Sequence, residues 1–450
     1  MSSDDYTMGS LAEPGLRATK ILSQRGRSAM ALGYKNIMWD IISDLWHSET
    51  NPEGYVSVGV AENVLLHDLL LEYIHSNTQL TANYLTYNDG SAGSNPLRKA
   101  IAHFLNRHMV PFQPVAPQHV VVTNGCSSAI EQLSWAFMEP GEGVLLGKPY
   151  YATFIPDLSL RSGAVVIPVN FDDTDPLGMD MFTRYEKAAT EFEGRTGKRV
   201  RAVMLCHPHN PLGRCYPRAA IIKLMRLCQE RQMHLISDEI YALSVWHNRV
   251  DADVSFVPFQ SVLSIDTTGI IDPDLVHVLW GMSKDFGANG LRVGAIISQS
   301  NPGLQKALEA TSLYSYVSGL SDRIVSSLLV DDEFTDRYIE LNRQRLSDTY
   351  SFVVQLLREN DIQHMEGCNA GFFVWVNLGK KYLEANPESA HPTHLDDVIS
   401  QKLLDNKVFL ASGTAFGSEK PGWFRVVFAH PFPYLEEAMR RILLAVGPKT

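Results

Sequence analysis

Cysteine is sparse in this chain. Its five cysteines, Cys126, Cys206, Cys215, Cys228 and Cys368, include no CxxC pair and no cluster with histidine at metal-ligand spacing. That argues against a disulfide framework and against a bound metal, and the thiols are expected to be reduced, as in a cytoplasmic protein. Basic charge is scarce too: 39 Lys and Arg against 50 Asp and Glu give a net charge of −11, with no basic block. Nucleic acid and anionic membrane are thereby excluded as main partners, although one local arginine pocket would still suffice for an anionic ligand. No apolar run reaches the roughly 20 residues that a membrane span needs. The opening Met1-Ser-Ser-Asp-Asp-Tyr is acidic and lacks an apolar stretch, so no signal peptide is expected. There is no internal repeat and no low-complexity tract.

What is present is an ordinary globular composition, 45% hydrophobic and 20% charged, over 450 residues. That is too long for one simple core, so more than one domain is expected. Short, continuously apolar runs at 119–123, 143–147, 163–168, 201–206, 234–237, 276–280 and 293–298 read as strands, with helix-length segments such as 127–137 and 218–231 between several of them. The alternation indicates an α/β fold, a mostly parallel sheet covered on both faces. Past about residue 300 the pattern changes. A long helical stretch at 302–359 is followed by strand-like runs at 371–377, 408–412 and 423–429, which reads as a smaller α+β domain. The expected division is an N-terminal segment 1–70 joining the small domain, a large domain 71–320 and a small domain 321–450. Residues 385–392 read as a surface loop.

In a sheet of this kind ligands sit beyond the carboxyl ends of the strands, and polar residues stand at those ends here. Lys284 follows the run Val276-His-Val-Leu-Trp280 and precedes two glycines and Arg292. A desolvated lysine sheds its proton easily and can form a Schiff base, and a guanidinium suits phosphate. Thr123-Asn-Gly-Cys-Ser-Ser-Ala129 opens a helix after a strand, so backbone N–H groups around Cys126, with the hydroxyls of Ser127 and Ser128, can seat a phosphate. Tyr151, in Lys148-Pro-Tyr-Tyr-Ala152, can stack on a flat ring. Asn210 sits in the rigid turn His207-Pro-His-Asn-Pro-Leu-Gly213. Asp238 and Tyr241, in Ile236-Ser-Asp-Glu-Ile-Tyr241, can meet a pyridine nitrogen and its neighbouring oxygen. Each motif alone also reads as a turn, a helix cap or a packed aromatic. In this order, each beside a strand end, they read jointly as one cofactor site.

These motifs, with Gly59-Val-Ala-Glu-Asn63 and Gly422-Trp-Phe-Arg-Val426, make the chain resemble, from about Asn51 to its C-terminus, the fold-type I pyridoxal-phosphate (PLP) enzymes of the class I/II aminotransferase superfamily. Within it the resemblance is to the 1-aminocyclopropane-1-carboxylate (ACC) synthase-like branch. It implies a three-layer, mostly parallel seven-stranded sheet with a smaller α+β domain, and pyridoxal 5′-phosphate as cofactor. It further implies that Lys284 carries the cofactor, Asp238 pairs with its ring nitrogen, Asn210 and Tyr241 contact its ring oxygen, and Tyr151 stacks on it. Ser127, with Cys126 beside it, and Arg292 would hold the phosphate. Arg425 would bind the substrate carboxylate, with Glu62 and Tyr151 facing the substrate. The resemblance implies a homodimer with shared sites, in which Tyr87 reaches the neighbour's phosphate. Two features depart from the pattern. Gly281 stands where a serine often adds a phosphate contact, which Ser283 or water would then supply or which is missing. The spacing of 87–95 places Ser91 near the position of a tyrosine.

The implied chemistry begins with proton removal from Cα of a small amino-acid substrate, with the Lys284 amine as general base. The leading expectation is an ACC synthase-like carbon–sulfur lyase on a sulfur-substituted amino acid. An aminotransferase is the runner-up, and a non-catalytic PLP-binding protein is a weaker alternative.

Overall fold

The computed structural model describes residues 21–33, 37–251, 254–389 and 394–448. The acidic opening and residues 390–392 of the expected loop lie outside the described residues. The described residues up to Tyr55 form one compact unit and those from Val56 onward another. The first holds the helices Gln24–Gly33 and Met38–Ser43, and a turn in which the Trp46 N–H donates to the Tyr55 carbonyl (2.8 Å).

In chain order the strands are β1 (Val56–Ser57), β2 (Val120–Thr123), β3 (Gly143–Gly147), β4 (Val165–Val169), β5 (Val200–Cys206), β6 (His234–Asp238), β7 (Val276–Gly281), β8 (Gly294–Ile297), β9 (Gln363–His364), β10 (Phe373–Asn377), β11 (Val408–Phe409), β12 (Ala411–Ser412) and β13 (Trp423–Val427). Seven of them form one sheet in the order β2-β8-β7-β6-β5-β3-β4. The β3, β4, β5, β6 and β7 pairings are parallel, and β8 runs antiparallel to both β2 and β7. The central strands are buried along their length, as β-branched and leucine-rich runs between two helical layers must be. Pro168 falls in β4, at the edge, where a missing N–H costs no ladder bond. Trp280 at the end of β7 is fully buried and packs on Phe104 at 5.1 Å between ring centres.

The second sheet, β12-β13-β10-β9, is antiparallel, and the parallel pair β1-β11 completes the strands. Residues near β1 thus lie against chain some 350 positions later: Val427 N–H donates to the Val58 carbonyl at 2.8 Å and Val64 N–H to Ala429 at 3.2 Å.

The stretch 302–359 is not one helix. It is three, Pro302–Thr311, Gly319–Leu328 and Asp332–Glu359, with a turn at Ser312–Ser315. The breaks fall where a short polar side chain caps a new helix: Ser318 Oγ accepts from Ser321 N–H (3.2 Å) and Asp331 Oδ1 from Phe334 N–H (3.0 Å).

Candidate active site

Because β2, β3, β5, β6 and β7 all end on the same side of the sheet, the residues just past their ends share one region. Lys284 lies in the short helix Met282–Asp285 directly after β7, and its Nζ donates to the Ala61 carbonyl at 2.6 Å. Burial, with the Arg425 charge adding to it, lowers the Lys284 pKa to about 8, while Glu62, Cys126 and Asp238 oppose the shift. Asp238 is the last residue of β6. Burial raises its carboxyl to about 7, against the Ile240 N–H it accepts (3.2 Å) and the Lys284 charge. A lysine lowered and a carboxyl raised in one pocket is the electrostatic pattern of a reactive site.

Arg425, on β13, is 3% exposed. Its Nη1 donates to Asn210 Oδ1 at 2.9 Å and its Nη2 to the Gly59 carbonyl at 2.5 Å, while Nε has no partner. The Tyr241 and Tyr151 hydroxyls lie near it. Both phenols are pushed up by burial, Tyr241 strongly. Asn210 follows β5 in a turn whose His207-Pro208 and Asn210-Pro211 peptide bonds are cis. Glu62 accepts from Asn289 Nδ2 at 2.7 Å.

At the other end lies the N-terminus of the helix Cys126–Phe137, whose first N–H groups have no intrahelical acceptor. Gly125 precedes it with φ of +108°, and a Cβ there would sit 2.1 Å from Arg292 Nη2. The guanidinium therefore lies across the mouth of the helix, and Gly294 packs on the same backbone. Cys126 Sγ donates to the Trp280 carbonyl (3.4 Å), and burial raises its thiol well above the ordinary range. Ser127 lies near Asp157, whose carboxyl burial lifts to about 7 and whose Oδ2 has no hydrogen-bond partner.

The structure thus gathers Lys284, Asp238, Tyr241, Cys126, Ser127, Tyr151, Asn210, Arg292, Arg425 and Glu62, with Ser283 buried beside the lysine. Tyr87 stands apart. It is 82% exposed, and its carbonyl accepts from the Tyr316 hydroxyl. Sequence reasoning missed Asp157, Asn289, and the aromatic rings Phe373 and Phe416 that flank Arg425. An isolated acid inside the apolar run Phe154-Ile-Pro-Asp-Leu could have flagged Asp157. The contacts from the Gly59 and Ala61 carbonyls carry no side-chain signal.

Fold and strand-end chemistry define a three-layer α/β protein of the PLP-dependent transferase class. The family model for aminotransferase class I and II matches residues 57–442. A protein of Aspergillus fumigatus named probable aminotransferase gliI is 32% identical over 447 residues, covering 96% of this chain and 98% of that one. One of Leptosphaeria maculans, probable aminotransferase sirI, is 34% identical over 85% of this chain and 89% of its own. A mouse protein named probable inactive 1-aminocyclopropane-1-carboxylate synthase-like protein 2 is 33% identical, over 89% of this chain and 67% of its own. The solved aspartate aminotransferase from Thermus thermophilus with maleate matches the fold with a TM-score of 0.68 at 19% identity, over 94% of this chain and 99% of that one. The chain belongs to the class I and II aminotransferase family.

Pyridoxal phosphate is the cofactor of this family, and the residues present fit it. The mouth at Gly125 has room only because no Cβ fills it, Arg292 lies across that mouth, and a buried carboxyl and a buried amine stand nearby without ion-pair partners among the described residues. No described helix is long and apolar enough to cross a membrane.

Proposed function

We propose that this chain acts at Cα of an α-amino acid with pyridoxal phosphate and that it is an ACC synthase-like carbon–sulfur lyase taking a sulfur-substituted substrate. The observation that carries the chemistry at Cα is the Lys284 amine, lowered to about 8, within electrostatic reach of Asp238 and Arg425, while the choice of lyase rests on the motif context. In this reading Lys284 would hold the cofactor, Asp238 would face its ring nitrogen and Asn210 and Tyr241 its ring oxygen. Tyr151 would cover the ring, and Ser127, the Cys126 N–H and Arg292 would hold the phosphate. Bound there, the cofactor supplies an electron sink for negative charge at the carbon next to an amine.

The chain's own groups do the rest. Arg425 offers in-plane N–H donors to the substrate carboxylate. Released from cofactor, Lys284 is the base that takes the Cα proton, and its lowered pKa keeps a useful fraction unprotonated near neutral pH. Asp238 would hold a negative charge facing the ring nitrogen, since a cation beside it would bring its pKa down. Branch membership supports the lyase: Gly59-Val-Ala-Glu-Asn63 and Gly422-Trp-Phe-Arg-Val426 are of ACC synthase-like type, and a similar mouse protein carries that name.

An aminotransferase is the second reading, favoured by the names of the two fungal relatives. The word inactive in the mouse protein's name raises a binding role without turnover, which the joint presence of Lys284, Asp238 and Arg425 argues against.

The test is a spectral screen of the loaded protein against amino acids and cysteine conjugates, with product masses. Release of a thiol without any keto-acid co-substrate supports the lyase. Amino transfer to an added keto acid supports the second reading. No spectral change with any compound would sink both. Lys284→Ala is expected to lower turnover by at least about a thousandfold while circular dichroism stays unchanged, and normal turnover in that variant would refute the site.

A further inference from the structure

Arg425 is a buried guanidinium with no carboxylate against it among the described residues. A cation in that position needs compensation or it will not stay in one place. Two of its donors are used in its own plane, by Asn210 and the Gly59 carbonyl. Its guanidinium carbon lies over two aromatic rings. Phe416 lies with its centroid 4.9 Å from the guanidinium carbon and Phe373 with its centroid at 5.4 Å.

Both rings are themselves held. Phe416 is 2% exposed and ends the turn Thr414–Phe416. Asp396 ties that turn down, accepting from the Thr414 N–H (2.9 Å) and hydroxyl (2.7 Å) and from the Gly422 N–H (2.5 Å). The Phe416 carbonyl accepts from Tyr150 N–H at 2.9 Å, so the turn is joined to the loop that carries Tyr151. Gly417 has φ of +65°, and a Cβ there would lie 2.7 Å from the Tyr150 ring. Trp375 meets Phe416 edge-on at 5.6 Å. Phe373, on β10, meets Tyr241 edge-on at 5.3 Å.

We propose that Phe416, with Phe373, is a positioning residue for substrate: the two rings act as a clamp that keeps the Arg425 guanidinium in place for an incoming carboxylate. The attraction between the negative ring face and the cation holds the charge in place before substrate arrives. The clamp thus sets selectivity for a carboxylate-bearing ligand. It rests on the reading that Arg425 takes the substrate carboxylate.

The experiment separates charge from packing and uses the cofactor-loaded protein. Phe416 is replaced by its mono-, di- and trifluorinated analogues, which keep the ring's shape and drain the negative charge from its face. Two carbonyl reagents are compared by the absorbance of the bound cofactor: aminooxyacetate, which has a carboxylate, and methoxyamine, which has none. The concentration of aminooxyacetate giving half-saturation is expected to rise stepwise along the series, reaching about fivefold for the trifluoro ring. Methoxyamine rates and the melting temperature should stay unchanged. Phe416→Leu should show the same selective loss, and the fluorinated series keeps the test open should that variant fold poorly. A flat response to fluorination, or equal losses for both reagents, would reduce Phe416 to a packing residue and overturn the proposal. Arg425→Ala tells the two readings apart. If it leaves the preference for aminooxyacetate intact, the carboxylate role of Arg425 fails first, and if it abolishes that preference while fluorination does nothing, only the clamp fails.

Discussion

A carboxyl group buried at a strand end with no cation against it holds its proton longer than it would in water, and Asp238 does so up to about pH 7. The unfolded chain releases that proton near pH 4. Between those values the folded cofactor-free protein binds more protons at this group, so its stability falls as the pH rises through the window. Glu239 and Asp285, also raised to about 7 by burial, act in the same direction. Asp238→Asn keeps the acceptor for Ile240 and removes the ionisation. It is expected to stabilise the cofactor-free protein at pH 8 by a few kcal/mol, on the order that such a shift implies, read as a higher melting temperature. In the loaded enzyme the same change should lower turnover by roughly a hundredfold or more, read by steady-state kinetics. The residue itself was legible in the sequence, because an acid directly after an apolar run in an α/β pattern has a predictable address. The Phe416 and Phe373 rings were not: an aromatic in a buried strand or turn carries no mark to separate a clamp from core.

The helix Cys126–Phe137 and strand β8 meet at two glycines, and Arg292 rests where a side chain at Gly125 would go. Gly125, with φ of +108° and ψ of 163°, occupies backbone space that L-residues rarely enter. Gly125→Ala is therefore expected to cost about 1–3 kcal/mol of stability. It should also push Arg292 out of the helix mouth, weakening cofactor binding tenfold or more by the loss of about one charge-assisted hydrogen bond. Cofactor titration by fluorescence and thermal melts check both. Retained affinity in that variant would move the phosphate seat elsewhere. Elements of this sheet could be read from sequence to within a residue or two, since its central strands are continuously apolar. The helical stretch after residue 300 could not, because a single capping serine or aspartate interrupts a periodicity that otherwise runs on.

For the molecule as a whole, two stretches that meet through Tyr87 and Tyr316 leave large apolar side chains in water. Leu85 and Tyr87 are 81% and 82% exposed, Leu313 and Tyr314 67% and 79%, and the Tyr316 ring touches Tyr87. Exposed apolar side chains grouped in this way suit an association surface. A homodimer is expected, with sedimentation equilibrium giving twice the 50.2 kDa of one chain. Replacing Tyr314 by Glu should shift it toward monomer and lower cofactor occupancy at micromolar protein. Unchanged mass in that variant would count against this face. Tyr87 could be read as part of a motif but not as a position, because nothing in the sequence marks it as exposed.

The oxygens that meet the reactive amine and the guanidinium on one side belong to Ala61 and Gly59, and they are peptide oxygens. Every amino acid brings the same one. Replacement of the Ala61 side chain would therefore leave its interaction chemically intact, and a tolerant mutational result there would say nothing about its importance. Swapping the amide for an ester at these positions, through semisynthesis, is the kind of chemistry that makes such a contribution visible.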